Sequence, residues 1–472
     1  MKIAIIGAGP AGITAAYQLS KQLPNVHLYE ASDSVGGLAK TIDLWEQKVD
    51  IGPHRFFSDD KRINDLWLEV VGNDYEMVNR LTRIYYKKKF FHYPLKPIDA
   101  LLKLGIVESV RCVLSYVAER LHPTKNTTHF EGWVTNRFGK RLYQLFFKTY
   151  SEKLWGIPCT ALDADFAAQR IKKLSLWEAV INGLKGGKNN THKSLVDEFA
   201  YPHGGTGSVY ERMAKAIQHN GGKLYTNTAV AQVLVKDDKA IGIVLANGET
   251  QYYDHIISSM PLTTMVQQIN NVPLGIKEAC NELTFRSTVL VYLRVNATNL
   301  FPDNWLYIHS NDLQLGRLTN FSNWVPQLNN NKPETILCLE YWCNYNDDFY
   351  ATTNDALITL GTKEVQHTGL LGAAKVIDGY VHRIPRCYPV YSTGYKNSLE
   401  PIQNYLSTIN NLSVIGRYGA FKYNNQDHSI LMGILAADNI LNNATHNLWD
   451  INTDYDSYQE SSSISKTGLA KN

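Results

Sequence analysis

Residues 2–30, KIAIIGAGPAGITAAYQLSKQLPNVHLYE, decide the fold of this 472-residue chain. Residues 2–6 are apolar after the lysine and read as a short buried strand. Gly7, Gly9 and Gly12 follow at G-x-G-x-x-G spacing, residues 13–23 read as a helix, and residues 26–30 as a returning strand. Each glycine of such a βαβ unit has its own task. Gly7 permits the tight turn, Gly9 lets backbone approach a pyrophosphate, and Gly12 lets helix and strand pack closely. The helix N-terminus then faces the phosphates. Glu30, ending the second strand, is placed to accept hydrogen bonds from an adenosine ribose. The unit predicts a dinucleotide site.

The next run, residues 31–41, carries Gly36 and Gly37. It resembles the second glycine signature of the glutathione-reductase-type FAD fold shared by amine oxidases and their relatives, which implies FAD rather than NAD. Two later segments read as returns to the same domain: residues 222–235, with Val230 as a cofactor-side position, and the strand group of residues 240–260. After no other strand does a G-x-G-x-x-G recur, so no dedicated NAD(P)H domain is expected, and NAD(P)H or another reductant would bind opportunistically. The expected class is α/β. A discontinuous Rossmann-like FAD domain (1–95, 190–262 and 385–445) holds an inserted helical substrate domain (96–189) and a mixed-sheet substrate domain (263–384). Residues 446–472 are expected to be a partly disordered tail, mobile from residue 452 onward.

Composition sets the remaining bounds. Hydrophobic residues at 44% and charged residues at 19% are those of an ordinary globular chain, long enough for two or three domains. A net charge of +3 gives no field that argues for nucleic acid, so an anionic ligand must be met by local arginines. The six cysteines show neither CxxC nor metal-ligand spacing, which suits reduced thiols in a cytoplasmic protein and predicts no metal site. No stretch has the length and apolarity of a membrane span. Residues 97–121 show an apolar face at helical spacing, which leaves contact with a membrane open but is expected to pack into the core or between domains. Self-association is left open.

Residues 130–174 are rich in aromatics and basic groups. Tyr143, Phe146, Phe147, Tyr150 and Leu154 recur at three- and four-residue steps, the pattern of a buried helix face. Tyr150 and Trp155, at the end of that helix and followed by Gly156, are placed to reach a pocket and stack on a planar base. Arg170, on the next predicted helix, could hold a phosphate through bidentate hydrogen bonds.

Four blocks then occur in order: residues 50–58 (DIGPHRFFS), residues 79–96 ending in YPLK, residues 146–156 (FFKTYSEKLWG) and residues 416–427 (GRYGAFKYNNQD). Together they resemble UDP-galactopyranose mutase. The resemblance implies that reduced flavin attacks the anomeric carbon of a UDP-galactose-like sugar nucleotide, UDP departs, the ring opens, and it recloses between pyranose and furanose. It assigns Tyr150 and Trp155 to the uridine, Arg170 and Arg317 to the diphosphate, and Tyr388 and Tyr423 to tyrosines that reach it. Arg417 and the backbone around Asn425 are assigned to the flavin, and His54 to the loop beside the isoalloxazine. His54, Arg170, Arg317, Tyr388 and Tyr423 form the candidate catalytic set. A leaving diphosphate develops charge that fixed arginine and tyrosine donors stabilise.

The chain departs from the mutase pattern in two places. Phe56, Phe57 and Ser58 stand where bacterial mutases carry a second histidine, and extra sequence lies near residues 300–330 and 344–376. The runner-up is an FAD-dependent oxidoreductase, akin to amine or protoporphyrinogen oxidases, acting on an amine, polyisoprenoid or porphyrin-like substrate. A third reading keeps FAD as a structural or sensing element, with Arg170 and Arg317 as plain surface charges.

Overall fold

Strand Ile3–Ile6 is wholly buried and pairs in parallel with Val26–Tyr29 on one side and His255–Ser258 on the other. Lys223–Tyr225 and Leu412–Val414 extend the sheet to five parallel strands. Such a sheet needs its faces covered, and its central strand Ile3–Ile6 is accordingly apolar throughout. Helices Pro10–Ser20 and Gly207–His219 pack on the sheet, and Gln426–Leu441 packs against the first of them. A Cβ on Gly433 would lie 2.5 Å from the Ala11 carbonyl oxygen, so the first and last of these helices touch backbone to backbone. Strands Val230–Lys236, Lys239–Leu245 and Thr250–Tyr252 form a separate antiparallel sheet.

The computed structural model describes residues 1–93, 95, 97–166, 198–451 and 462–471. It divides into two units: Met1–Met77, Phe199–Thr284 and Tyr395–Asn472 form the first, Val78–Glu198 and Phe285–Gly394 the second. The core of the first unit lies between the parallel sheet and its helices, around Ile5, Leu28, Trp67, Tyr210 and Met432.

The second unit is built on a seven-stranded sheet. Its order is Val376–Pro389, Phe285–Val295, Thr335–Cys343, Arg317–Asn320, Trp305–Ile308, Thr82–Tyr86 and Lys89–His92. Every neighbouring pair is antiparallel except Trp305–Ile308 with Thr82–Tyr86. The central strands are buried on both faces, which suits their β-branched and aromatic composition. Helix Asn354–Thr368 packs on this sheet. The aromatic helical run is broken into Lys140–Tyr143, a π-helical turn Gln144–Lys148 and Thr149–Trp155. One-turn π segments often mark functional sites, because the extra residue rotates the side chains that follow.

The structure draws its boundaries differently from the sequence reading. Residues 78–93 go with the second unit because Thr82–Tyr86 and Lys89–His92 hydrogen-bond into its sheet. The helices around residues 97–155 and the mixed sheet form one unit, not two, and residues 385–394 belong to it as the end of an edge strand. Helices Leu262–Gln268 and Leu274–Glu282 fall in the first unit. Part of the expected loose tail is ordered there: Leu448 and Ile451 enter the core, and Ser462–Ser465 pairs with Gly468–Lys471. The Tyr75 hydroxyl donates to the Ser465 carbonyl at 2.6 Å.

Residues 97–121 also depart from expectation. They form helices Pro97–Leu104 and Ile106–Leu121, broken at Gly105 with φ +88°, and the apolar face of the second is exposed to solvent instead of packed.

Candidate functional site

On the cofactor side the site is made of backbone. Gly7, Gly36 and Gly37 have φ of +93°, +105° and +53°, a region that L side chains avoid. A Cβ on Gly12 would sit 2.0 Å from the Gly7 carbonyl oxygen, and one on Gly37 would sit 2.9 Å from the Gly9 Cα. The Gly36 N–H donates to the Ala8 carbonyl at 2.9 Å. Two glycine loops thus abut with no side chain between them.

Glu30 fastens this arrangement. One of its carboxylate oxygens accepts the Ala8 N–H at 2.8 Å, and the other accepts the Ser32 N–H and hydroxyl at 2.9 and 2.6 Å. Its own carbonyl accepts the Thr228 N–H at 2.9 Å, which brings the chain leading into Val230 alongside. Helix Pro10–Ser20 opens with Gly9 as N-cap and Pro10 at its first position, with no side-chain cap and no acid in its first turn. An uncapped, partly positive helix end beside a cradle that any Cβ would fill fits a pyrophosphate.

Asn425 is the N-cap of helix Gln426–Leu441, also without a side-chain cap bond. Arg417 is held beside it: Nη1 donates to the Asn424 carbonyl at 3.0 Å, and the guanidinium carbon lies 4.5 Å from the centre of the Tyr423 ring. The His54 loop is pinned through its backbone, its carbonyl accepting the Thr206 hydroxyl at 2.6 Å and the Gln426 amide at 3.2 Å. Tyr210 in turn donates to the Gln426 side-chain oxygen at 2.7 Å. Phe56, at the departure from the mutase pattern, is core: it stacks on Trp67 at 4.8 Å and bridges to Ala200.

Asp50 is the organiser that sequence reasoning quoted without assigning a role. Fully buried, it accepts the Thr41 hydroxyl at 2.6 Å, the Tyr201 hydroxyl at 2.7 Å and the Thr206 N–H at 3.2 Å. Burial pushes its pKa up to about 6, outweighing the hydrogen bonds that favour the charged form.

In the second unit the site is made of side chains. Arg317 and Glu340 are direct partners on neighbouring strands. Glu340, buried, takes Nε and Nη2 of Arg317 at 2.5 and 2.6 Å, leaving Nη1 with no hydrogen-bond partner among the described residues. Tyr388 and Tyr150 lie close enough that their oxygens, like Glu340, favour the charged guanidinium, whose pKa is well above its usual value despite burial. Around Tyr150 stand His309, stacked at 4.7 Å, Trp342 at 5.4 Å and Tyr307 at 5.5 Å. Gly316 is required here, since a Cβ on it would lie 2.0 Å from the Trp342 ring.

Three groups set this cluster in place. Lys153, one turn beyond Tyr150, donates to the carbonyls of Ile308, Ser310 and Leu315, which ties helix Thr149–Trp155 to the strands carrying Tyr307 and Arg317. Burial lowers its pKa to about 8. Arg286 bonds the Lys153, Leu154 and Trp342 carbonyls and fills the space against Gly156. Glu364, on helix Asn354–Thr368, accepts the Gln314 and Leu315 N–H groups at 2.6 and 2.9 Å, just before Arg317. That helix therefore positions the arginine strand.

Trp155 differs from expectation. It has no exposed surface, and Phe166 at 4.6 Å, Tyr388 at 6.3 Å and Tyr391 at 6.5 Å surround its ring, so it offers no face to a planar base in this conformation. Tyr150, partly exposed, keeps that option. Arg170 lies outside the described residues. Tyr307, His309 and Glu364 were missed, and Glu340 was given no role, because each meets Arg317, Tyr150 or the segment leading into the arginine strand from a distant part of the chain, at no fixed sequence spacing.

Known proteins bear on this geometry at three levels. Coproporphyrinogen III oxidase of Staphylococcus aureus is 19% identical over 93% of this chain and 98% of its own. A probable UDP-galactopyranose mutase of Klebsiella pneumoniae is 30% identical, over 34% of this chain and 43% of its own. A crystal structure of reduced UDP-galactopyranose mutase superposes with a TM-score of 0.83 at 24% identity, covering 96% of both chains, which shows the shared fold. The profile of the flavin containing amine oxidoreductases matches residues 10–441. With the glycine cradle in place, the conclusion follows: this chain belongs to the flavin containing amine oxidoreductase family and is an enzyme that uses FAD.

Proposed function

We propose that the chain is a sugar-nucleotide mutase that interconverts the pyranose and furanose rings of a UDP-galactose-like substrate with reduced FAD. The observation that carries this reading is Arg317, clamped by Glu340 beside Tyr150 and Tyr388 with Nη1 uncommitted. A polyisoprenoid hydrocarbon has no use for a half-buried, pre-oriented guanidinium, whereas a departing diphosphate needs such donors, as do the propionate carboxylates of a porphyrinogen. The Arg317–Glu340 pair is neutral overall, so it supplies direction more than field; Arg170 is proposed to supply the second positive charge.

When bound, reduced FAD supplies the electron-rich nitrogen that displaces the diphosphate at the anomeric carbon. The protein's part is orientation. Arg317 Nη1 and the Tyr388 and Tyr423 hydroxyls donate to diphosphate oxygens, and the Tyr150 ring stacks on the base. His54 holds a proton for the sugar oxygen, and Arg417 and the backbone at Val230 and Asn425 seat the cofactor. With no second dinucleotide fingerprint in the sequence, we assign reduction to adventitious NAD(P)H or another donor. The six cysteines are all unpaired thiols, which supports a reducing, cytoplasmic setting.

A second reading, net oxidation of a porphyrin-like substrate, draws on the full-length similarity to the Staphylococcus aureus oxidase. UDP binding separates the two. Arg317→Ala should weaken UDP binding by about 10- to 100-fold, the worth of a charge-assisted hydrogen-bond pair, while FAD content stays at one per chain. If the variant binds UDP as the parent does, the diphosphate assignment is wrong.

A further inference from the structure

Helix Ile106–Leu121 is built inside out. At 3.6 residues per turn its large apolar residues fall on one arc, and that arc faces solvent. Ile106 is 85% exposed, Leu121 71% and Leu114 63%, with Val110, Val113 and Val117 between them at about half. Leu102 of the preceding helix, 78% exposed, adds to the same segment. The helix turns its polar residues inward: Glu108 takes the guanidinium of Arg141 from two directions, the Ser115 hydroxyl accepts the Arg141 N–H at 3.0 Å, and Glu119 accepts the Thr124 N–H. A face of this kind costs a soluble protein solubility unless something covers it.

Charge identifies the cover. On the helical wheel Arg120 borders the apolar arc on one edge and Arg111 on the other, and both are exposed. The two acids of the helix lie on the far side, already engaged. Exposed Lys87, Lys88 and Lys89 form the turn of a hairpin close to Glu108. Residues 87–125 hold eight lysines and arginines against three acids, in a chain whose whole net charge is only +3. A second copy packed helix to helix would set arginine edge against arginine edge, where paired helices carry opposite charges. An apolar arc with cationic edges matches a helix lying in the plane of an anionic bilayer, its arginines reaching the headgroups. No described helix is long and apolar enough to cross a membrane, so this is surface attachment.

We propose that helix Ile106–Leu121 docks the enzyme on an anionic lipid surface through Ile106, Val110, Val113, Leu114, Val117 and Leu121, with Arg111, Arg120 and the Lys87–Lys89 turn meeting the headgroups. The test is flotation of the FAD-loaded full chain with phosphatidylcholine vesicles, pure or containing about 30 mol% phosphatidylglycerol. The chain should float with the anionic vesicles only, and Val113→Asp/Val117→Asp should lower the bound fraction at least about tenfold at unchanged FAD content. Should that variant fail to fold, Leu114→Trp gives a second readout: its added fluorescence should shift to the blue and be quenched by brominated lipid. Absence of flotation with either vesicle, equal flotation with both, or a solution dimer that Val113→Asp/Val117→Asp dissociates would each overturn the proposal, the last assigning the face to a second copy.

Discussion

The two units offer candidate anion sites of opposite kinds. In the first, the contact surface is backbone: Gly7, Gly9, Gly12, Gly36 and Gly37 clear the space, an uncapped helix end supplies the N–H groups, and Glu30 and Asp50 act from behind. In the second, it is side chain: Arg317 is aimed by Glu340, flanked by Tyr150 and Tyr388, and carried on a strand that Glu364 holds. A backbone site tolerates no added side chain where its loops touch, at Gly12 and Gly37. A side-chain site tolerates substitutions of shape but depends on each charge having its partner.

That contrast orders the expected effects. The largest belongs to Gly12→Val, whose Cβ would lie 2.0 Å from the Gly7 carbonyl oxygen. It should cost at least about 10,000-fold in FAD affinity, some 5.5 kcal/mol, read as flavin absorbance per chain; near-normal flavin content would break the backbone account. Next comes Glu340→Gln, which takes the counter-charge from a half-buried guanidinium and should destabilise the fold by about 2–4 kcal/mol. The double change Arg317→Met/Glu340→Leu should restore most of that stability in thermal unfolding while still failing to bind UDP. If it stays as unstable as the single variant, the pair matters to the fold for some reason beyond charge.

The smallest effect sharpens the first unit. The Asp50 carboxyl, raised to about 6 by burial, takes up a proton on folding. Its contribution favours the fold fully below about pH 4 and is lost as pH rises through 6, on the order of 2–3 kcal/mol. Asp50→Asn should flatten the stability profile in that window, and an unchanged profile would mean that Asp50 is not the titrating group.

The same contrast explains what could be read beforehand. The glycine cradle follows from residues adjacent in sequence, so strand, turn, helix and Glu30 were all visible in thirty residues. The strands within residues 222–235 and 240–260 were also legible, whereas Leu412–Val414 joins the sheet with no such signal. Arg317 could be singled out only through the mutase resemblance, and its partner Glu340 takes a role only once two strands are in register. The burial of Trp155 depends on Phe166, Tyr388 and Tyr391, which come from separate segments. Helix Ile106–Leu121 misled for a further reason: periodicity reports which residues share a face, not whether that face looks inward. The ordered tail was missed because its core residues, Leu448, Ile451 and Ile464, are too sparse to make a periodic apolar pattern, and the rest is held by backbone pairing and one tyrosine bond.

Electron stoichiometry tests the proposed activity most directly. FAD-loaded enzyme, reduced once and kept under anaerobic conditions with UDP-galactopyranose, should form many furanose products per flavin while the reduced-flavin spectrum persists. Reoxidation of one flavin per product, or no ring conversion alongside stoichiometric oxygen uptake with a porphyrinogen, would contradict it and make the chain an oxidase.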